Sequence, residues 1–187
     1  MRAFIAIELP AGIKDALSGM QTKSPKESIS WVKSQNLHLT LKFLGDISLE
    51  QLNKIKQLII GITKTIPGFK IKLNNLGVFP NMHTTRIIWI GADHPPLELK
   101  QLTEQLETKL AGSGTPQEQR TFRAHITIGR IRSHLVPSDL KKVIDKIEND
   151  MAGLNWEFNC DEITLFESTL GPGGPVYTIL DKFNLLI

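Results

Sequence analysis

The chain has 187 residues, 41% of them hydrophobic and 22% charged, which fits one soluble domain or two small lobes sharing one core. No apolar run approaches bilayer-spanning length, and Cys160 is the only cysteine, so a helical membrane protein, an internal disulfide and a thiolate metal cluster are excluded and a reducing cytoplasm is the default compartment. The net charge of +3 suits an anionic partner or plain solubility, and the scattered basic residues argue against a dedicated duplex-DNA binder.

Residues 1–9 alternate around Phe4, Ala6 and Ile7 and read as a strand ending at Pro10. The segment is short, and Glu8 interrupts it, so it is not read as a signal peptide. Residues 11–21 form a short helix. Residues 37–44 alternate at period two, as a half-buried strand does, and Gly45-Asp46 ends it. Ser48 then caps a helix, with Gln51 as its capping-box partner and Leu49, Leu52, Ile55, Leu58, Ile59 and Ile62 at helical spacing. Pro67-Gly68 breaks that helix, and 69–79 reads as a strand with a kink near Asn74-Asn75. The pattern then restarts: a strand over 85–91, a helix from Pro96 to Leu110, a loop over 111–116, a strand over 121–129 and a helix opening at Ser138. Two closing strands, 156–167 and 175–186, flank a Gly/Pro-rich turn. Each half reads strand, helix, strand, helix, strand. The expected fold is α+β, a single domain over 1–187 with an internal repeat of about 1–84 and 85–187. Two pseudo-symmetric lobes result, each an antiparallel sheet with outer helices, and the sheets face one another across a central groove.

The chemistry sits at matching places in that repeat. His38-Leu39-Thr40 and His125-Ile126-Thr127 lie on the central strand of each half. Residues two apart in a strand point the same way, so His38, Thr40 and Lys42 share one face, and Leu39, Leu41 and Phe43 share the core face. His125 and Thr127 face outward in the same way from Ala124, Ile126 and Ile128. Two imidazoles on opposite sides of a groove suit cleavage at phosphorus: one takes a proton from the attacking oxygen while the other gives one to the leaving oxygen. The threonine hydroxyls donate to the non-bridging oxygens, where charge accumulates. The scheme needs no metal and no cofactor. A single His-x-Thr means little, since His83-Thr84-Thr85 also fits, but after Phe79-Pro80-Asn81 it is expected in a turn. Paired strands at equivalent positions are what give the motif weight.

The sequence resembles the two-histidine (2H) phosphoesterase superfamily, and within it the RNA 2′,3′-cyclic phosphodiesterases, also called 2′-5′ RNA ligases (the LigT/ThpR-like family). The likeness extends over the whole chain, through Arg2 to Ile7, Trp31 to Asp46, Phe79-Pro80 with Arg86 to Trp89, Phe122 to Arg130, and Gly174 to Tyr177. It implies hydrolysis of RNA 2′,3′-cyclic phosphate ends to 2′-phosphomonoesters, and an ATP-independent 2′-5′ joining activity as the reverse chemistry. It implies His38 as proton donor and His125 as proton acceptor, with Thr40, Thr127 and Arg130 holding the phosphate. Ala124 departs from the family's usual proline.

Arg130 poses a problem of geometry. Strict alternation puts it opposite His125, whereas a bulge at Gly129 would return it to the groove. Phe79 and Tyr177 are candidates to stack on a base, or are core. Lys42 is a rim lysine that attracts the RNA backbone or is merely solvated. Trp89 and Trp156 are expected in the core, Trp31 partly exposed, and His94 and His134 exposed. Three other functions compete: a 2H phosphoesterase for a small cyclic nucleotide, a non-catalytic RNA-end binder, and a metal-dependent hydrolase. Neither motif histidine is lost, which weighs against the binder. Two histidines without a nearby carboxylate are too few ligands for the metal enzyme. The expected partners are RNA or oligonucleotide ends bearing a 2′,3′-cyclic phosphate, with no membrane, and the expected oligomeric state is a monomer.

Overall fold

The computed structural model describes residues 1–22, 28–118, 120–132, 135–153 and 156–186. In chain order these form β1 (Arg2–Glu8), α1 (Ala11–Thr22), β2 (Ile29–Trp31), β3 (His38–Asp46), α2 (Leu49–Thr63), β4 (Phe69–Lys72), β5 (Asn75–Phe79) and β6 (Ile87–Gly91). Then follow α3 (Leu97–Ala111), β7 (His125–Ile131), α4 (Pro137–Met151), β8 (Glu157–Cys160), β9 (Glu162–Gly171) and β10 (Gly174–Asn184). The helix signals act where the sequence puts them. Ser48 Oγ accepts from the Gln51 amide at 3.1 Å and Gln51 Oε1 accepts from the Ser48 amide at 2.9 Å, closing the capping box of α2. The last helix starts one residue earlier than expected, with Pro137 in its first turn, where a missing N–H costs nothing.

Two four-stranded sheets form, β10-β9-β1-β3 and β2-β7-β6-β5, joined by the two-stranded pair β4-β8. Every pairing within these sheets is antiparallel. One continuous core lies beneath both large sheets, with Ile5, Ile7 and Leu39 from the first and Ile90, Ile126 and Ile128 from the second. Leu52, Ile55, Ile59 and Ile62 of α2 and Leu99, Leu102, Leu106 and Leu110 of α3 pack into it. Residues at helical spacing make those apolar stripes, and burying them is what holds the helices on the sheets.

The lobes do not coincide with the halves 1–84 and 85–187. The segment 69–79 does not stay one kinked strand; it divides at Leu73-Asn74, where the Leu73 amide donates to the Trp156 carbonyl and the Asn74 amide to the Gly91 carbonyl. Beyond that point β5 leaves its own half and pairs with β6, and after β8 the chain does the reciprocal thing, β9 pairing with β1. The two segments before the crossings, β4 and β8, pair with each other. Each sheet is therefore built from both halves, and the exchange ties the lobes to one core. The short β2, which hydropathy alone gave no reason to expect, adds an edge to the second sheet beside β7.

Candidate active site

The first motif strand departs from strict alternation. On β1, Ala6 faces Thr40 and Ile5 faces Lys42, so Leu41 is an extra residue. A second extra residue, Leu44, follows between Phe43 and Gly45. A bulge inserts one residue and reverses which side chains face the core beyond it. Lys42 consequently leaves the histidine's face, contrary to the sequence reading of it as a rim lysine. Its side chain is 2% exposed, and its Nζ donates to Glu107 Oε2 at 2.7 Å and to the Pro116 carbonyl at 2.9 Å. Burying an ammonium is tolerable when a carboxylate and a carbonyl meet it in this way. Phe43 moves the opposite way. Expected in the core, it is 62% exposed and lies 6.2 Å from the Phe4 ring on the groove side.

The second motif strand repeats the device. Trp89 faces Thr127 and Ile88 faces Gly129, which makes Ile128 the extra residue. Gly129 is buried and Arg130 is exposed, so Arg130 returns to the face of His125. The bulge falls one residue before Gly129. The glycine has its own reason: a Cβ there would come within 2.9 Å of the Trp31 ring, which covers the strand at that point. Trp31 itself is partly exposed, as expected.

Both histidines are held by the same contact. His38 Nδ1 donates to the Asn36 carbonyl and His125 Nδ1 to the Arg123 carbonyl, each at 2.7 Å. A carbonyl can only accept, so the proton sits on Nδ1 and Nε2 is left for chemistry. An aromatic edge braces each ring: Tyr177 stands 5.3 Å from His38 at 86°, and Phe79 stands 5.2 Å from His125 at 88°. Beyond this the two differ. His38 lies 4.9 Å from the Phe4 ring, and its Nε2 accepts from the Thr40 hydroxyl at 3.0 Å. Among the described residues no equivalent bond joins Thr127 to His125. Burial pulls the His38 pKa down to about 4. The Asn36 carbonyl opposes that, and the charges of Lys14, His125 and Arg130 add to it.

Those charges place the groups together. His125 and Arg130, from the second sheet, act on His38, from the first, and Arg130 also acts on the Tyr177 hydroxyl, whose pKa burial raises. The structure thus brings His38, Thr40, His125, Thr127 and Arg130 to one groove between facing sheets, with Tyr177 and Phe79 at its two histidines. The sequence reading missed Phe43 and Lys14. Phe43 was hidden by the bulges, and Lys14 by its position on α1 rather than on a motif strand.

Other residues fall outside the groove. His83 is exposed in a turn where Asn81 Oδ1 accepts from the amides of His83 and Thr84, so the third His-x-Thr is local turn chemistry. His94 is exposed, Trp89 and Trp156 are buried, and His134 lies outside the described residues. Cys160 is buried, and desolvation pushes its thiol up to about 12, which leaves no thiolate nucleophile there. Among the described residues no three His, Cys, Asp or Glu side chains gather as metal ligands, and no helix is long and apolar enough to cross a membrane.

Comparison with known proteins places this groove in a family. A model of the 2′-5′ RNA ligase superfamily matches residues 13–172. An RNA 2′,3′-cyclic phosphodiesterase of Methanocaldococcus jannaschii is 36% identical over 98% of this chain and 100% of its own length. One from Thermotoga maritima is 31% identical over 96% of this chain and 93% of its own. Among solved structures, Escherichia coli LigT complexed with 3′-AMP superposes with a TM-score of 0.81 at 34% identity, covering 98% of this chain and 97% of that one. The chain belongs to the 2′-5′ RNA ligase superfamily.

Proposed function

We propose that this protein is an RNA 2′,3′-cyclic phosphodiesterase that works by two-histidine acid–base catalysis and needs no metal. The observation that supports this most is the matched pair of imidazoles. Each has Nδ1 tied to a carbonyl at 2.7 Å, and each projects from a bulged strand into the same groove. His125 Nε2 takes a proton from water as the water oxygen attacks phosphorus. The bond from phosphorus to O3′ breaks, O3′ leaves with a proton from His38, and the phosphate stays on O2′. Thr40, Thr127 and Arg130 bind the non-bridging oxygens and the charge that builds on them. Joining is the same attack with a 5′-hydroxyl in place of water: its oxygen bonds to phosphorus and gives its proton to His125, O3′ leaves with the proton from His38, and a 2′-5′ phosphodiester results.

The assignment of His38 as donor and His125 as acceptor follows the family resemblance. Burial leaves His38 neutral at neutral pH in the protein alone. A bound phosphodiester anion favours its protonated form, so on this reading substrate itself arms the acid. RNA ends bearing the cyclic phosphate are the proposed partners, met by a monomer in the cytoplasm. Phosphorus NMR of a cyclic-phosphate-ended oligonucleotide, with EDTA present, tests the proposal. The expected result is loss of the cyclic resonance and growth of a 2′-phosphate. A 3′-phosphate product, or activity that EDTA abolishes, would overturn it.

A further inference from the structure

The groove floor extends past the histidines. Along β1, residues two apart share a face. Ala3, Ile5 and Ile7 belong to the main core, whereas Phe4 and Ala6 form a separate small cluster with Phe166, on which Tyr177 packs. Phe4 is 4.9 Å from both His38 and Tyr177, which puts this second face on the groove side. Arg2 stands on it too, two residues beyond Phe4, a step of about 7 Å along the strand. Arg2 is exposed and, among the described residues, makes no ion pair, although Asp46 stands opposite it in the ladder. The lysines around the same sheet are already engaged: Lys14 and Lys182 with Glu8, Lys42 with Glu107, and Lys56 with Asp181. Tyr177 feels two guanidinium groups, Arg130 from the second sheet and Arg2 from the first. The exposed ring of Phe43 lies on the same floor, opposite Phe4 in the ladder.

We propose that Arg2 is a second phosphate contact, binding the phosphodiester on the 5′ side of the terminal nucleotide while the cyclic phosphate occupies the histidine pair. The inference rests on the function proposed above and adds a reader of chain length to it. With Arg130 at the reacting phosphate, Arg2 stands at the other end of β1 from the Glu8–His38 pairing, beyond the Phe4 and Tyr177 rings that border His38, so its guanidinium is placed for a phosphate other than the one at the histidines. The terminal nucleoside lies between them against Phe43 and Tyr177, on rings that accept any base. A free guanidinium at such a point binds phosphate through charge-assisted, bidentate hydrogen bonds, which a lysine reproduces only as a point charge. The site therefore favours an oligonucleotide end over a mononucleotide.

Calorimetric titration with adenosine 3′-phosphate and adenosine 3′,5′-bisphosphate tests this, because the two ligands differ only in the 5′ phosphate. The wild-type protein is expected to bind the bisphosphate about 10-fold more tightly. Arg2→Ala should bring that ratio close to one, and Arg2→Lys should leave an intermediate value. The salt dependence of bisphosphate binding should fall by roughly one unit of slope in Arg2→Ala. Each variant supplies its own reference ligand, so a general loss of affinity does not alter the ratio. An unchanged ratio in Arg2→Ala, or no preference in the wild type, overturns the proposal. A protein that shows the ratio without turning over cyclic phosphate supports the subsite and overturns the hydrolase reading.

Discussion

The motif strands β3 and β7 share a backbone and differ in what they do with it. Each runs histidine, apolar residue, threonine, then an extra apolar residue, a bulge that exchanges core and groove faces. In each the imidazole is tied at Nδ1 and braced by an aromatic edge. After the bulge they part. Lys42 and Phe43 on β3 correspond to Gly129 and Arg130 on β7. The first strand fills its core position with a buried ion pair and lays an aromatic ring in the groove. The second leaves its core position open for Trp31 and puts a guanidinium in the groove. A desolvated, neutral imidazole on an aromatic floor thus faces a strand that brings positive charge. Two like strands give one groove two unlike walls, an asymmetry that suits a reaction with one acid and one base.

The comparison breaks most visibly at the histidines. If the walls act as acid and base, neither can stand in for the other. His38→Ala and His125→Ala should each lower kcat by about 10³- to 10⁴-fold. Circular dichroism should show the wild-type fold in both, because each ring lies on the groove side and not in the core. A variant that keeps near wild-type turnover would remove its histidine from the mechanism. The residue after the bulge should matter less. Arg130→Phe copies the first wall onto the second and should cost about 100-fold in kcat/KM, as loss of one preorganised donor to developing charge does. Arg130→Lys should recover part of that. Equal rates for wild type and Arg130→Phe would mean that the guanidinium serves something other than the phosphate.

Much of this was legible in the sequence. The motif histidines, their threonines, the capping box at Ser48 and the α+β class follow from period-two and period-3.6 patterns and from local hydrogen-bond chemistry, which act over a few residues. Two things were not. Bulges leave no mark on alternation when the inserted residue is apolar, as Leu41 and Ile128 are, so Lys42 and Phe43 were placed on the wrong faces while the side of Arg130 stayed open. The exchange of β5 and β9 between lobes depends on which strand edges meet in three dimensions. Nothing within 69–79 or 162–171 encodes it beyond the Asn74-Asn75 interruption. Lys14 shows the same limit, since its charge reaches His38 only because α1 packs against the turn at Ser34–Asn36 that leads into β3.

The smallest expected effect concerns stability rather than rate, and it sharpens the contrast at His38. Its native pKa, about 4, lies below the ordinary value of 6.5. Between those values the unfolded chain binds more protons than the folded one, so stability rises with pH across the window and is lost as pH falls through it. From pH 7 to pH 5 this group alone should cost about 2 kcal/mol of unfolding free energy. His38→Gln removes the titration and keeps a polar side chain in place. Urea unfolding at the two pH values should therefore show the wild type losing about 2 kcal/mol more than His38→Gln. The largest cause is burial, against Phe4 and Tyr177, so Tyr177→Ala, which lets water reach the ring, should shrink the wild-type loss without abolishing it. Parallel losses in the wild type and His38→Gln would show that the ring is well hydrated in the protein alone. The first wall would then not be the desolvated one, and substrate would have no need to arm its acid.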